Sequence, residues 1–242
     1  MIMAGETMRL GIMQPYFFPY IGYFSLIDYC DEFVFFDTPQ FISHGWINRN
    51  RILKQSGNPA YITVPIRRAP RNTAINNIVI NNELKWKEKI YGQLSYYKRK
   101  APHYSIVMEL VRSVLEKPRD SLSNLCIDSI NTVCDFLELD IRRHIFSDME
   151  LGIYEVNSPD EWALRITQEM KFDTYVNPPG GMSFFDRGKY TEAGIKLEFL
   201  RNELTPYIQR IGHFEPGLSI IDVLMFCSTG EAKSMLKDFQ IM

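Results

Sequence analysis

The densest run of side chains able to do chemistry is Gly45 to Arg51, GWINRNR. In extended backbone Arg49 and Arg51 project from one side and can clamp a phosphate or carboxylate through paired N–H donors. Trp46 can stack on a sugar or base, and Asn48 and Asn50 can orient hydroxyls. The same run also reads as a solvated loop with one anchoring Trp. His44 beside it is the best general-base candidate, because imidazole titrates near neutrality, although a lone loop histidine is commonly ordinary surface.

Three other segments carry candidates. In QPYFFPYIGY, Gln14 offers donors and acceptors, Tyr16, Tyr20 and Tyr23 offer hydroxyls, and Gly22 permits a close approach. The tyrosines equally fill space under a Pro-rich turn. In NPPGGMSFFD the backbone amides of Gly180 and Gly181 can cup an anion, or simply make a turn, and Asp186 can bind a ligand or cap a short helix. In PGLSIIDVLMFC the single charge, Asp222, stands in an apolar run, where burial requires a partner such as an arginine or a backbone amide. The basic patches RRAPR (67–71) and YYKRK (96–100) read as solvated faces, with RRAPR able to meet the phosphates of a nucleotide-linked substrate.

The elements that must position these groups alternate. RLGIM (9–13) reads as a buried strand, Pro15 and Pro19 delay a helix to about 20–30, and FVFF (33–36) is a second strand, giving a βαβ opening. Residues 37–57 read as a long loop, with strands at 61–66 and 78–80. Helices follow at about 84–99, 103–116 and 121–138, then a strand at 144–146, a helix at 160–170, and strands at 174–176 and 196–199. A helix capped by Ser219 breaks at Gly230 before a last short helix. This is α/β ordering with a mostly parallel sheet, expected as one domain over 8–242 with a helical insertion at about 83–140. In such a sheet the ligand sits beyond the carboxyl ends of the strands, which points to the QPYFFPY loop.

Composition narrows the functional classes. Of 242 residues, Lys+Arg 27 against Asp+Glu 29 give a formal charge of -2, which supplies no global field for nucleic acid or an anionic membrane. No apolar run approaches the roughly 20 residues that span a bilayer, so no membrane insertion is expected. The start lacks a secretory pattern, and residues 1–7 read as a tail or alternative start, so the expected location is cytoplasmic. Cys30, Cys126, Cys134 and Cys227 are widely spaced among apolar residues, and the four histidines share no helical spacing, so neither a zinc site nor a disulfide framework is implied.

Two resemblances stand out. YIGYFSLI has the layout of the HxGHxxLI signature of adenylyl-transferring nucleotidyltransferases, with Tyr20 and Tyr23 at the histidine positions, which implies a HUP-like core. Tyrosine carries no positive charge at neutral pH, which counts against triphosphate chemistry. IMQPYFFPYIGYFSLI, GWINRNRI, YVNPPGG with a nearby aromatic-Asp, and PGLSIIDVLMFC together closely resemble the WbqC-like protein family from Met8 onward. That resemblance implies a role in O-antigen or other surface-polysaccharide biosynthesis, with transfer of glycine or another amino acid onto a sugar. The chain departs from the family pattern at Phe185 and at Met225-Phe226-Cys227-Ser228.

The expected function is therefore a transferase adding an aminoacyl or acyl group to a nucleotide-linked amino sugar, with no cofactor specified and a charged tRNA as one conceivable donor. His44, Tyr20 or Tyr23 would take the amine proton, Arg49 and Arg51 would hold the diphosphate or the donor, and Gly180 and Gly181 would face the developing oxyanion. The alternatives are an adenylate-forming enzyme and a non-catalytic binding protein of a polysaccharide-assembly complex.

Overall fold

The computed structural model describes residues 7–153 and 156–242. The expected tail over 1–7 falls outside the described residues up to position 6. The chain opens with strand β1 (Arg9–Met13), helix α1 (Ile21–Tyr29) and strand β2 (Glu32–Phe35). An antiparallel hairpin follows, β3 (Arg49–Leu53) and β4 (Pro59–Thr63). Three helices come next, α2 (Trp86–Leu94), α3 (Tyr104–Leu115) and α4 (Leu122–Phe136). The second half runs β5 (Arg142–Ile145), α5 (Glu161–Glu169), β6 (Thr174–Asn177), α6 (Arg187–Glu192), β7 (Lys196–Asn202), α7 (Ile220–Phe226), α8 (Thr229–Leu236) and β8 (Phe239–Ile241).

Six strands form one sheet in the order β5-β2-β1-β6-β7-β8, all parallel except β8. Alternation along the strands divides the core into two layers. Phe33, Phe35, Val176 and Leu200 face the larger layer with α1 and the helical block, and Leu10, Ile12, Val34, Tyr175, Leu197 and Phe199 face α5 and α6. Because both faces are covered, β1 after Arg9 and β2 after Glu32 read as unbroken apolar runs. Gly11 is required there, since a Cβ would stand 2.7 Å from the Phe33 ring.

From β1 the chain steps outward to β2 and β5, then crosses to β6 and β7 on the other side. The parallel strands thus follow the 3-2-1-4-5 order of a Rossmann-like, HUP-like core, and the reversal falls between β1 and β6. Loops leaving those two strands diverge and open a crevice at their carboxyl ends.

Some expectations need correction. The long loop at 37–57 contains β3, a strand masked in sequence by its polar residues. The expected strand at 78–80 makes only the isolated bridges Ile66 to Ile80 and Val79 to Ser121. The last helical break falls at Cys227, where Ser228 and Glu231 form a capping box, and Gly230 lies inside α8. The edge strand β8 is short and largely exposed, and no sequence pattern marks it. Among the described residues no helix is long and apolar enough to cross a membrane.

Candidate functional site

A cleft of about 1460 Å³ occupies the crevice at the strand reversal. Its floor comes from strand ends, with Met13 closing β1 and Gln14 after it, Phe36 after β2 and Asn177 closing β6. The segments Thr38–Ser43 and Ile66–Arg71 form one wall, and Trp162, Phe184 and Phe185 line another side. Phe36, Phe146 and Trp162 pack together with centroids 5.0 to 5.9 Å apart, a surface on which a planar or apolar group can rest.

Loop-to-loop hydrogen bonds hold this frame. Gln40 Nε2 donates to the Arg71 carbonyl at 2.8 Å, Phe41 N to Thr73 O at 2.9 Å and Ile75 N to Pro39 O at 2.9 Å. Below them the buried Asp37 carboxylate accepts from Ser147 N at 3.0 Å and Ser147 Oγ at 2.7 Å, tying the loop after β2 to the turn after β5. Its backbone carbonyl also accepts from Asn76 N at 2.9 Å.

Charge in the cleft is one-sided. Arg67, Arg68 and Arg71 line it and are exposed. Arg67 meets Glu83 at 3.5 Å between two exposed side chains, a pair worth little in water. Arg68 and Arg71 make no ion pair among the described residues. The guanidinium groups suit a phosphate or carboxylate, which they can bind in pairs.

Two amides line the same cleft at the carboxyl ends of the adjacent strands β1 and β6. Neither Gln14 nor Asn177 hydrogen-bonds a described residue through its side chain, so both remain available to a ligand. Asn177 is buried, and its amide occupies space that only a glycine at 181 leaves open, since a Cβ there would lie 2.0 Å from its Nδ2. Tyr16 completes this end, and burial with neighbouring Tyr20 pushes its hydroxyl up to about 12, so it serves as a hydrogen-bond donor at neutral pH.

Of the other sequence candidates, several meet at a buried node beside the cleft. Phe18 has φ 41°, a left-handed conformation unusual for an aromatic residue, and its side chain is fully buried. Its N–H donates to Ser129 Oγ at 3.1 Å, and its carbonyl accepts from Asn50 Nδ2 at 2.8 Å and Ser219 Oγ at 2.7 Å. Ser219 N in turn donates to Arg51 O at 2.8 Å, and Ile220 N to Pro19 O at 2.8 Å. Three separated motifs therefore brace one strained turn.

The remaining polar groups of GWINRNR are held by the protein itself. Asn48 Nδ2 donates to Val64 O at 2.9 Å, and Arg49 donates to the carbonyls of Gly45 and His44 while stacking 4.3 Å over Tyr61. Arg51 reaches Glu215 at 3.3 Å and the carbonyls of Pro216 and Gly217. Trp46 is half-exposed between Tyr61 and Arg51. His44 is exposed, one residue beyond Ser43 on the cleft rim.

Tyr23 donates to the Gln14 carbonyl at 3.0 Å, and the Tyr20 ring covers Gly22, where a Cβ would lie 2.4 Å away. Burial raises the pKa of both tyrosines, holding them as neutral hydroxyls. Asp186 caps α6 by accepting from Gly188 N at 2.8 Å. Gly180 and Gly181 form a single 3-10 turn that does not line the cleft.

Asp222 is fully buried, and its partners are neither an arginine nor a backbone amide. Tyr97 OH donates at 2.5 Å, Tyr207 OH at 2.6 Å and Gln209 Nε2 at 3.0 Å. Burial raises its pKa against the lowering effect of those three donors. All four cysteines are buried, and among the described residues no three of His, Cys, Asp and Glu cluster as metal ligands would.

Sequence reasoning placed Gln14 and Tyr16 at this cleft's position and missed Asn177, Trp162 and the weight of Arg68 and Arg71. Asn177 carried a usable signal, a polar residue ending an apolar strand just before Pro-Pro. The arginines carried only local basicity, because their proximity to the strand ends depends on a loop folding across the sheet.

Fold and cleft define an α/β protein with a Rossmann-like core and a ligand-sized crevice at the strand reversal. The sequence model of the WbqC-like protein family matches residues 14–234, and the chain belongs to that family. It is also similar to "Uncharacterized protein Rv1507c" of Mycobacterium tuberculosis (strain ATCC 25618 / H37Rv), 29% identical over 232 residues, covering 95% of this chain and 97% of that protein. No solved structure gives a significant match.

Proposed function

We propose that the protein is a transferase that binds a nucleotide-linked amino sugar in the cleft and adds glycine or another acyl group to its amine, in surface-polysaccharide biosynthesis. The observation that carries this reading is the juxtaposition of Arg68 and Arg71, without ion-pair partners among the described residues, with the unpaired amides of Gln14 and Asn177 in one cleft. The guanidinium groups hold a diphosphate, the amides and Tyr16 orient sugar hydroxyls, and the aromatic group at Trp162 receives the base.

In the transfer step the sugar amine attacks the donor's carbonyl carbon, forming the C–N bond as the bond from that carbon to the donor's leaving atom breaks. The amine proton passes through a base to the leaving group. His44, beside the rim residue Ser43, is assigned as that base. Family membership supports the surface-polysaccharide setting.

The test is incubation of the protein with a nucleotide-linked amino sugar and an activated amino acid, followed by mass spectrometry. An acylated nucleotide sugar that is lost in Arg68→Ala/Arg71→Ala and reduced in His44→Ala supports the reading. No product with any aminoacyl donor, charged tRNA included, contradicts it.

A further inference from the structure

A second concavity, about 790 Å³, lies between the β3–β4 hairpin and the turn that follows α2. It shares no lining residue with the cleft and takes nothing from the six-stranded sheet. Lys54 stands on the hairpin wall, and Lys98, Arg99 and Lys100 stand on the other. No carboxylate lines it, and none of these four cations forms an ion pair among the described residues. Lys100 is held over the Tyr96 ring at 4.4 Å and donates to its hydroxyl at 2.8 Å, which fixes one charge in place.

Cations gathered in a concavity that no carboxylate lines repel one another until an anion arrives. The walls are also locked together from behind. Tyr97, fully buried in the same turn, accepts from Leu53 N at 2.8 Å and donates to Asp222 at 2.5 Å. Gln93 Nε2 adds a second tie, between α2 and the hairpin, by donating to Tyr61 O at 3.0 Å. The cation-bearing turn therefore has a set distance from the hairpin before any ligand binds, which lowers the ordering cost of binding.

We propose that this groove is a second anion site that binds a diphosphate group, with Arg99 forming paired hydrogen bonds and the three lysines acting as point charges. The diphosphate belongs either to free inorganic pyrophosphate or to a nucleoside diphosphate; the apolar floor of Ile52, Leu53 and Ala60 offers room beside the charges for a nucleoside. The site is independent of the transferase reading.

The test is titration calorimetry of the full chain at low ionic strength with inorganic pyrophosphate and, separately, with a nucleoside diphosphate. The expected result is pyrophosphate binding that weakens about tenfold or more in Lys98→Ala/Arg99→Ala and also in Lys54→Ala, on the opposite wall. All three side chains are exposed, so a thermal melt should show both variants folded. Binding should survive in Arg68→Ala/Arg71→Ala, which separates this site from the cleft. With the cleft disabled in Arg68→Ala/Arg71→Ala, tighter binding of the nucleoside diphosphate than of pyrophosphate assigns the groove's diphosphate to a nucleotide, and the reverse assigns it to the free ion. Absence of pyrophosphate binding to the unmodified protein, or groove variants that bind pyrophosphate as tightly as the unmodified protein does, overturns the proposal.

Discussion

The side-chain amide of Asn50 donates to the carbonyl oxygen of Phe18 at 2.8 Å, and Phe18 holds a left-handed backbone conformation that an aromatic residue rarely adopts. Such a conformation costs on the order of 1–3 kcal/mol and persists only where its surroundings over-determine it. Here Asn50, Ser129 and Ser219 supply those surroundings from three distant parts of the chain. The turn they hold leads from β1, so its shape sets where Gln14 and Tyr16 enter the cleft.

Asn50→Ala removes the amide bonds to Phe18 and Phe17 and leaves buried backbone acceptors short of partners. The expected loss is about 2–3 kcal/mol, with Ser219→Ala costing about 1–2 kcal/mol. Because both donate to one carbonyl, a double-mutant cycle read by urea denaturation should show clear non-additivity. A loss of ligand binding with unchanged stability would instead make Asn50 a ligand contact.

Asp222 gives a pH signature. Its folded pKa is raised, so the native state holds the proton more tightly than the unfolded chain does. Stability from this group is greatest below the ordinary carboxylate range, falls as pH rises through the interval up to the raised value, and is absent above it. Asp222→Asn should erase that part of the profile while costing about 1–3 kcal/mol through mismatched donors from Tyr97, Tyr207 and Gln209. Urea midpoints from about pH 4 to 8 for both proteins check it, and identical slopes would refute it.

Gly180 and Gly181 should behave differently. A Cβ at Gly180 meets nothing within 4 Å, whereas one at Gly181 would lie 2.0 Å from Asn177 Nδ2 and 2.8 Å from the Phe185 ring. Gly180→Ala is expected to stay within about 0.5 kcal/mol of the parent. Gly181→Ala should displace Asn177 from the end of β6 and weaken ligand binding in the cleft, measured by calorimetry. Equal effects of the two substitutions would favour an anion cup made by both amides.

What could be read from the sequence follows from how local each signal is. RLGIM and FVFF are buried on both faces of the sheet, so composition alone marks them as strands. RNRIL hides as a loop because Asn50 and Arg51 spend their polar groups on the carbonyls of Phe18, Pro216 and Gly217, partners remote in sequence. Phe239–Ile241 is too short and too exposed to show a pattern. The candidate site divides in the same way. Gln14 is legible because it directly follows a buried strand, while Arg68 and Arg71 look like ordinary surface until the loop after β4 is seen crossing toward the strand ends. The dense polar run GWINRNR has the residue types for ligand chemistry, and it is largely occupied in holding the backbone in place.

The central claim is that ligand recognition lies with Arg68 and Arg71 in the cleft, while Arg49 braces the protein from outside it. Titration calorimetry of a nucleotide-linked amino sugar against the parent protein, Arg68→Ala/Arg71→Ala and Arg49→Ala tests this directly. The expected result is affinity reduced about a hundredfold or more in the cleft variant, from loss of two charge-assisted contacts. Arg49→Ala should retain affinity within about threefold and lose about 1 kcal/mol of stability with its cation–π contact and backbone bonds. Affinity lost in Arg49→Ala and kept in the cleft variant would contradict the account and return the site to GWINRNR.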